Sequence, residues 1–123
     1  MLVFILKKSL IFTKNMPPDK AKEIVKKYAG VLQKNNIVFR RIYLFGSQVK
    51  KTSRRNSDID VAVVFRNLKK NESKMEKMIL LWRLAPEADI RIEPIVLEEN
   101  DFKKGYTSTL ANEVQKGGVL VKS

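Results

Sequence analysis

The 123-residue sequence predicts a single α/β domain, and three observations carry that assignment. The β-branched and aromatic runs at residues 37–45 and 58–65 are short, apolar and bounded by turn residues, so they read as strands. Amphipathic stretches at helical spacing surround them, giving the order helix, strand, strand, helix, strand, helix, strand. A chain of this length buries about two-thirds of the surface its unfolded form exposes, so one core suffices. With no cysteine there is neither a disulfide framework nor a thiolate metal site.

The opening MLVFILKKSLIF is apolar but is interrupted by Lys7 and Lys8, far short of the roughly 18 apolar residues that a membrane span requires. It has no basic start and no small-residue cleavage site, so it does not read as a secretory signal, and the expected address is the cytoplasm. Residues 1–15 are expected to be an N-terminal extension, either upstream of a natural start at Met16 or a small added strand. Residues 16–123 are expected to form the domain. Pro17 and Pro18 suit a first helical turn, and Ala21, Ile24, Val25, Tyr28 and Leu32 follow at helical spacing up to Asn35-Asn36. IVFRRIYLF is the first strand and delivers Gly46-Ser47 to its carboxyl end. A charged segment, read as one irregular helical turn and a loop, leads to the second strand, DIDVAVVF.

In NESKMEKMILLWRL the residues Met75, Met78, Ile79 and Trp82 share one helical face, expected to be core, and Pro86 closes the helix. ADIRIEPIVL alternates Asp89, Arg91 and Glu93 against Ile90 and Ile92, the pattern of a third strand with one charged face. Leu110 and Val114 mark a last helix behind possible caps at Thr107 and Ser108, and Gly117-Gly118 ends it before the strand VLV.

Lys and Arg number 25 against 13 Asp and Glu, a formal charge of +12, which suits either a polyanionic partner or a solvated lysine-rich surface. Nucleic acid is a possible partner on charge but is not favoured, because no aromatic residues are interleaved with the cations to stack bases. The chain has no histidine, so any chemistry must use carboxylates, hydroxyls, lysines or backbone groups.

Side chains alternate along a strand, so Asp58 and Asp60 project from one face while Ile59, Val61 and Val63 enter the core. Two adjacent carboxylates repel. Either Arg54, Arg55 or Lys50 neutralises them, or a cation sits between them, and hard oxygen donors suit Mg²⁺ or Mn²⁺. Gly46 at a strand end allows a phosphate close to the backbone, and Ser47 can offer its hydroxyl and amide. Asp89 completes a possible set of three carboxylates if its strand pairs beside that of Asp58, as in-line phosphoryl transfer on two metal ions requires. The alternative is simple salt bridging among Asp89, Arg91 and Glu93, and Glu93, on the same side, is the reserve candidate.

Gly46-Ser47, ten residues and then Asp58-Ile59-Asp60 resemble the Gly-Ser-x10-Asp-x-Asp signature of the DNA polymerase beta-like nucleotidyltransferases. RIYLFGS and SDIDVAVV are similar to the minimal nucleotidyltransferase (MNT) branch, and DIRIEP is similar to the strand bearing the third aspartate, which falls on Asp89. The resemblance implies a nucleotidyltransferase fold, a small mixed sheet with helices packed on it. It also implies transfer of a nucleoside monophosphate, AMP from ATP, with release of pyrophosphate. Asp58 and Asp60 would bind two Mg²⁺ ions; Asp89 would bind one of them and assist the acceptor hydroxyl, and Gly46, Ser47 and Lys50 would serve the triphosphate. The resemblance further implies a HEPN-domain protein as partner and acceptor, with an antitoxin role, as in some minimal members; the sequence itself shows no acceptor. Members of the family usually carry Arg-Gly soon after Gly-Ser; here Lys50 keeps the charge and Lys51 stands where glycine is common. Two other readings are a catalytically weak module that neutralises its partner by docking and a basic nucleic-acid-binding protein.

Overall fold

The computed structural model describes residues 18–46, 58–103 and 109–123. Helix α1 (Pro18–Lys34) is followed by strands β1 (Arg41–Phe45) and β2 (Ile59–Phe65), helix α2 (Lys74–Leu84), strand β3 (Ile92–Glu98), helix α3 (Thr109–Gly117) and strand β4 (Val119–Lys122). The four strands form one mixed sheet in the order β3-β2-β1-β4. β1 runs antiparallel to both β2 and β4, and β2 runs parallel to β3. The parallel pair needs a crossover, and α2 with the short 3-10 turn Ala85–Glu87 supplies it.

Strand alternation sorts the core into two layers. Ile42, Leu44, Ile59, Val61, Val63, Phe65, Ile92 and Val96 point to the face covered by α1 and α2. Phe45, Ala62, Val64 and Leu97 point to the other face, against Ala111 and Val114 of α3. The helical positions expected in α1, from Ala21 to Leu32, are all buried. Tyr28 is fully buried, and its hydroxyl donates to the Leu81 carbonyl at 2.8 Å, which ties α1 to α2. Asn36, at φ 63°, takes the left-handed conformation that turns the chain out of α1.

Three expectations are corrected. In α2 the buried residues are Leu81 and Leu84, whereas Met75, Ile79 and Trp82 are 67%, 51% and 48% exposed. Both stripes are apolar at helical spacing, so periodicity could not choose between them; the crossover onto β2 and β3 does. Trp82 instead lies over the sheet edge, its indole N–H donating to the Pro94 carbonyl at 3.0 Å. In α3 the inward pair is Ala111 and Val114, with Leu110 exposed. The third strand begins at Ile92 rather than Asp89. The amides of Ala88 and Asp89 donate to the Ala85 carbonyl, and the Asp89 carboxylate accepts from the Arg91 amide at 2.8 Å. An aspartate that bonds backbone two residues on makes a turn, and the strand starts after it.

The N-terminal extension, the helical turn and loop expected between β1 and β2, and Thr107 and Ser108 lie outside the described residues. No helix among the described residues is long and apolar enough to cross a membrane.

Candidate functional site

Asp58 precedes β2 and is exposed; Asp60, the second residue of β2, is half-buried. Their neighbour Ile59 enters the α1/α2 layer, so both carboxylates belong to the opposite, α3 face. Antiparallel pairing sets Phe45 beside Asp60, which brings Gly46 to the carboxylate. Gly46 has φ +80°, and a Cβ built there would collide with Oδ2 of Asp60 and stand 3.2 Å from its Cγ. Only glycine combines that left-handed backbone with that approach. Ser47 and Lys50 lie outside the described residues.

The parallel register pairs Ile59 with Ile92 and Asp60 with Glu93. Adjacent strands run about 4.8 Å apart, so Glu93 projects on the same face as Asp60 in the neighbouring strand. Burial pushes the Glu93 carboxyl above its ordinary range, a hydrogen bond shared with Asp58 adds to this, and the charges of Asp58 and Asp60 add more. Asp60 is raised in the same way, first by burial, then by the charges of Asp58 and Glu113. Three carboxylates therefore crowd one face, and ionisation of Asp60 and Glu93 is disfavoured there. Among the described residues, no three His, Cys, Asp or Glu side chains are gathered closely enough to form a finished metal cage.

Asp89 does not join them. It ion-pairs with Arg91 at 2.8 Å, and that bond, set against partial burial, holds its carboxyl below the usual range. Lys27 of α1 contributes to the lowering, and Asp89 lines a shallow cleft with Lys20, Glu23, Ile24 and Lys27. Those residues cover the α1 face of the sheet, the side opposite Asp60. The salt-bridge alternative thus holds for Asp89 and Arg91, and the reserve residue Glu93 is the carboxylate that meets Asp58 and Asp60. A signal was present in the sequence: Ile59-Asp60-Val61 and Ile92-Glu93-Pro94 are matching apolar-acid-apolar triplets, and aligning the two strands on them yields the observed register.

A family profile described as "Polymerase beta, Nucleotidyltransferase" matches residues 26–123. The chain belongs to the polymerase beta nucleotidyltransferase family. In this chain the matched region contains Gly46, Asp58, Asp60 and Glu93 together with all four strands. A toxin–antitoxin structure holding AMP-PNP is 28% identical with TM-score 0.53, the match covering 81% of this chain and 71% of that one. An MNT antitoxin in complex with a tri-AMPylated Shewanella oneidensis HEPN toxin gives 22% identity, TM-score 0.52, and coverage of 82% and 71%. A Sulfolobus solfataricus protein described as a nucleotidyltransferase gives 20% identity, TM-score 0.60, and coverage of 84% and 80%. At those last two identities the likeness speaks to the fold. Comparison with curated proteins gave no significant match.

Proposed function

We propose that this nucleotidyltransferase moves AMP from ATP to a hydroxyl of a partner protein, a HEPN-domain toxin, and acts as its antitoxin. The observation that carries the reading is the convergence of Asp58, Asp60 and Glu93 on one face beside Gly46. The 28% identical toxin–antitoxin structure with AMP-PNP supports the choice of an adenine nucleotide and of a partner protein.

The donor set is all carboxylate oxygen, which fits Mg²⁺ or Mn²⁺, and the raised Asp60 and Glu93 mark a charge-crowded face that a divalent ion relieves. Asp58, Asp60 and Glu93 are the residues that would hold it. When bound, such an ion neutralises phosphate charge as pyrophosphate leaves. Gly46 lets the triphosphate approach the backbone, with Ser47 and Lys50 as its further contacts. The acceptor oxygen bonds to the α-phosphorus, the bond from that phosphorus to pyrophosphate breaks, and the acceptor's proton passes to the Glu93 carboxylate. Glu93 takes the role first assigned to Asp89, because Asp89 is engaged with Arg91 across the sheet.

The test is intact-mass measurement of the partner after incubation with ATP, Mg²⁺ and each variant. Wild type and Asp89→Asn should add an AMP-sized mass, and Asp60→Asn and Glu93→Gln should not. Tight partner binding with no mass change from wild type would favour the docking module; a mass increase that survives Asp60→Asn would remove the mechanism.

A further inference from the structure

The far end of the sheet carries a second concavity that the carboxylate site does not use. A cleft of about 530 Å³ opens between the end of α1, the end of β2 and α2, with Phe39, Phe65, Leu68 and Leu81 among its apolar walls. A neighbouring cavity of about 280 Å³ shares Asn36, Ile37, Val38 and Phe39 with it. From Asp60 to Phe65 is five residues, about 16 Å along the strand, and Phe65 belongs to the opposite core layer. The two sites are therefore separate.

The walls are held in place by bonds of their own. Ile37 N–H donates to the Leu32 carbonyl at 3.0 Å and Arg40 N–H to the Val64 carbonyl at 2.7 Å. Beyond β2, Leu68 N–H donates to a Glu98 oxygen and Asn100 N–H to the Asn67 side-chain oxygen, both at 2.8 Å. A cavity of this volume with fixed walls is within the range that takes small ligands.

Its charges are one-sided. Arg40, Arg66 and Lys77 line it, and no acidic residue does. Arg66 is engaged by both oxygens of Glu72 at 2.9 Å, and Arg40 stands 3.9 Å from Glu99. Lys77 takes part in none of the ion pairs among the described residues; its Nζ lies 5.0 Å over the Phe65 ring. Glu72, whose carboxylate feels the Lys77 charge, is already committed to Arg66 and to the Lys69 amide. A half-buried lysine whose ammonium lies over an aromatic ring, with its nearby acid taken, is complementary to an anion that brings its own apolar body.

We propose that this cleft binds a small amphiphilic anion, its flat apolar body against Phe39, Leu68 and Leu80, the accessible apolar side chains of the lining, and its carboxylate, sulfonate or phosphate head at Lys77. The proposal is independent of the nucleotidyl-transfer reading. The probe is naphthalenesulfonate, titrated into the isotope-labelled full chain and followed by amide NMR shifts. Saturable shifts are expected at Ile37–Arg40, Phe65–Leu68 and Lys77–Leu81, unaffected by Mg²⁺ with ATP. The neutral analogue naphthalenemethanol should bind about tenfold more weakly, the effect of one partly desolvated charge contact. Lys77→Met should lose the same factor, and Leu80→Glu, at a position 37% exposed, should abolish sulfonate binding while the melting temperature holds. Equal affinity for the neutral analogue, an unaffected Lys77→Met, or shifts confined to Met75, Ile79 and Trp82 on the outer face of α2 would each overturn it.

Discussion

Gly46→Ala tests the link between the strand end and the carboxylates. At φ +80° an alanine costs about 1–2 kcal/mol relative to glycine. The added Cβ must also displace the Asp60 side chain, whose Oδ2 and Cγ it meets, and an off-rotamer carboxylate costs about 1 kcal/mol more. The sum, about 2–3 kcal/mol, lowers the melting temperature of a domain of this size by about 6–15 °C. Gly30 is the control. It sits inside α1 with no atom within 4 Å of a built Cβ, so Gly30→Ala should raise stability by about 0.5–1 kcal/mol. Thermal melts of both variants, with and without Mg²⁺ and ATP, decide the matter. Gly46→Ala should also lose most of any nucleotide-induced rise, because Asp60 has moved. A Gly46→Ala protein that melts with wild type and keeps its full ATP response would refute the close approach and the left-handed backbone together.

Mg²⁺ with ATP should raise the wild-type melting temperature by linkage to the folded state, and Asp60→Asn should remove most of the rise; a shift retained in that variant places the ion elsewhere. Asp60 and Glu93 are raised in the folded protein, so the stability they contribute is full below the unfolded carboxyl range, near pH 4, and is lost as pH rises through the folded values. The metal-free wild type should therefore lose ground to Asp60→Asn as pH rises from about 4 to 7, and a difference in melting temperature independent of pH would count against the crowding. Asp89 is lowered by Arg91, the opposite sign: its contribution is present above the unfolded value and fades as acid titrates the folded group, so Asp89→Asn should flatten the acid limb of the stability profile. Tyr28→Phe should cost about 1–2 kcal/mol in denaturant melts, because the buried Leu81 carbonyl loses its side-chain donor, and a neutral substitution would mean that another donor replaces it.

Much of this fold was legible because its signals are local. The buried set of α1 follows one helical stripe from Ala21 to Leu32 with lysines outside it, and no competing stripe exists in that segment. Asp58 and Asp60 on one face follow from strand alternation alone, as does the burial of Ile59, Val61 and Val63. The failures share a different cause. In α2 two apolar stripes coexist, and only the docking of the crossover on the β2–β3 pair selects Leu81 and Leu84. The third carboxylate depends on where β3 begins and how it registers on β2, both of which are tertiary facts. Asp89 fits the alternation of the segment as well as Glu93 does, but its carboxylate binds the amide and guanidinium of Arg91 and ends the turn before any strand pairing begins. The register then presents Glu93 to Asp60. An aspartate placed two residues before an arginine at the mouth of a strand is read correctly only when turn chemistry is weighed against alternation, and here the turn prevails because it satisfies a backbone amide and a cation at once.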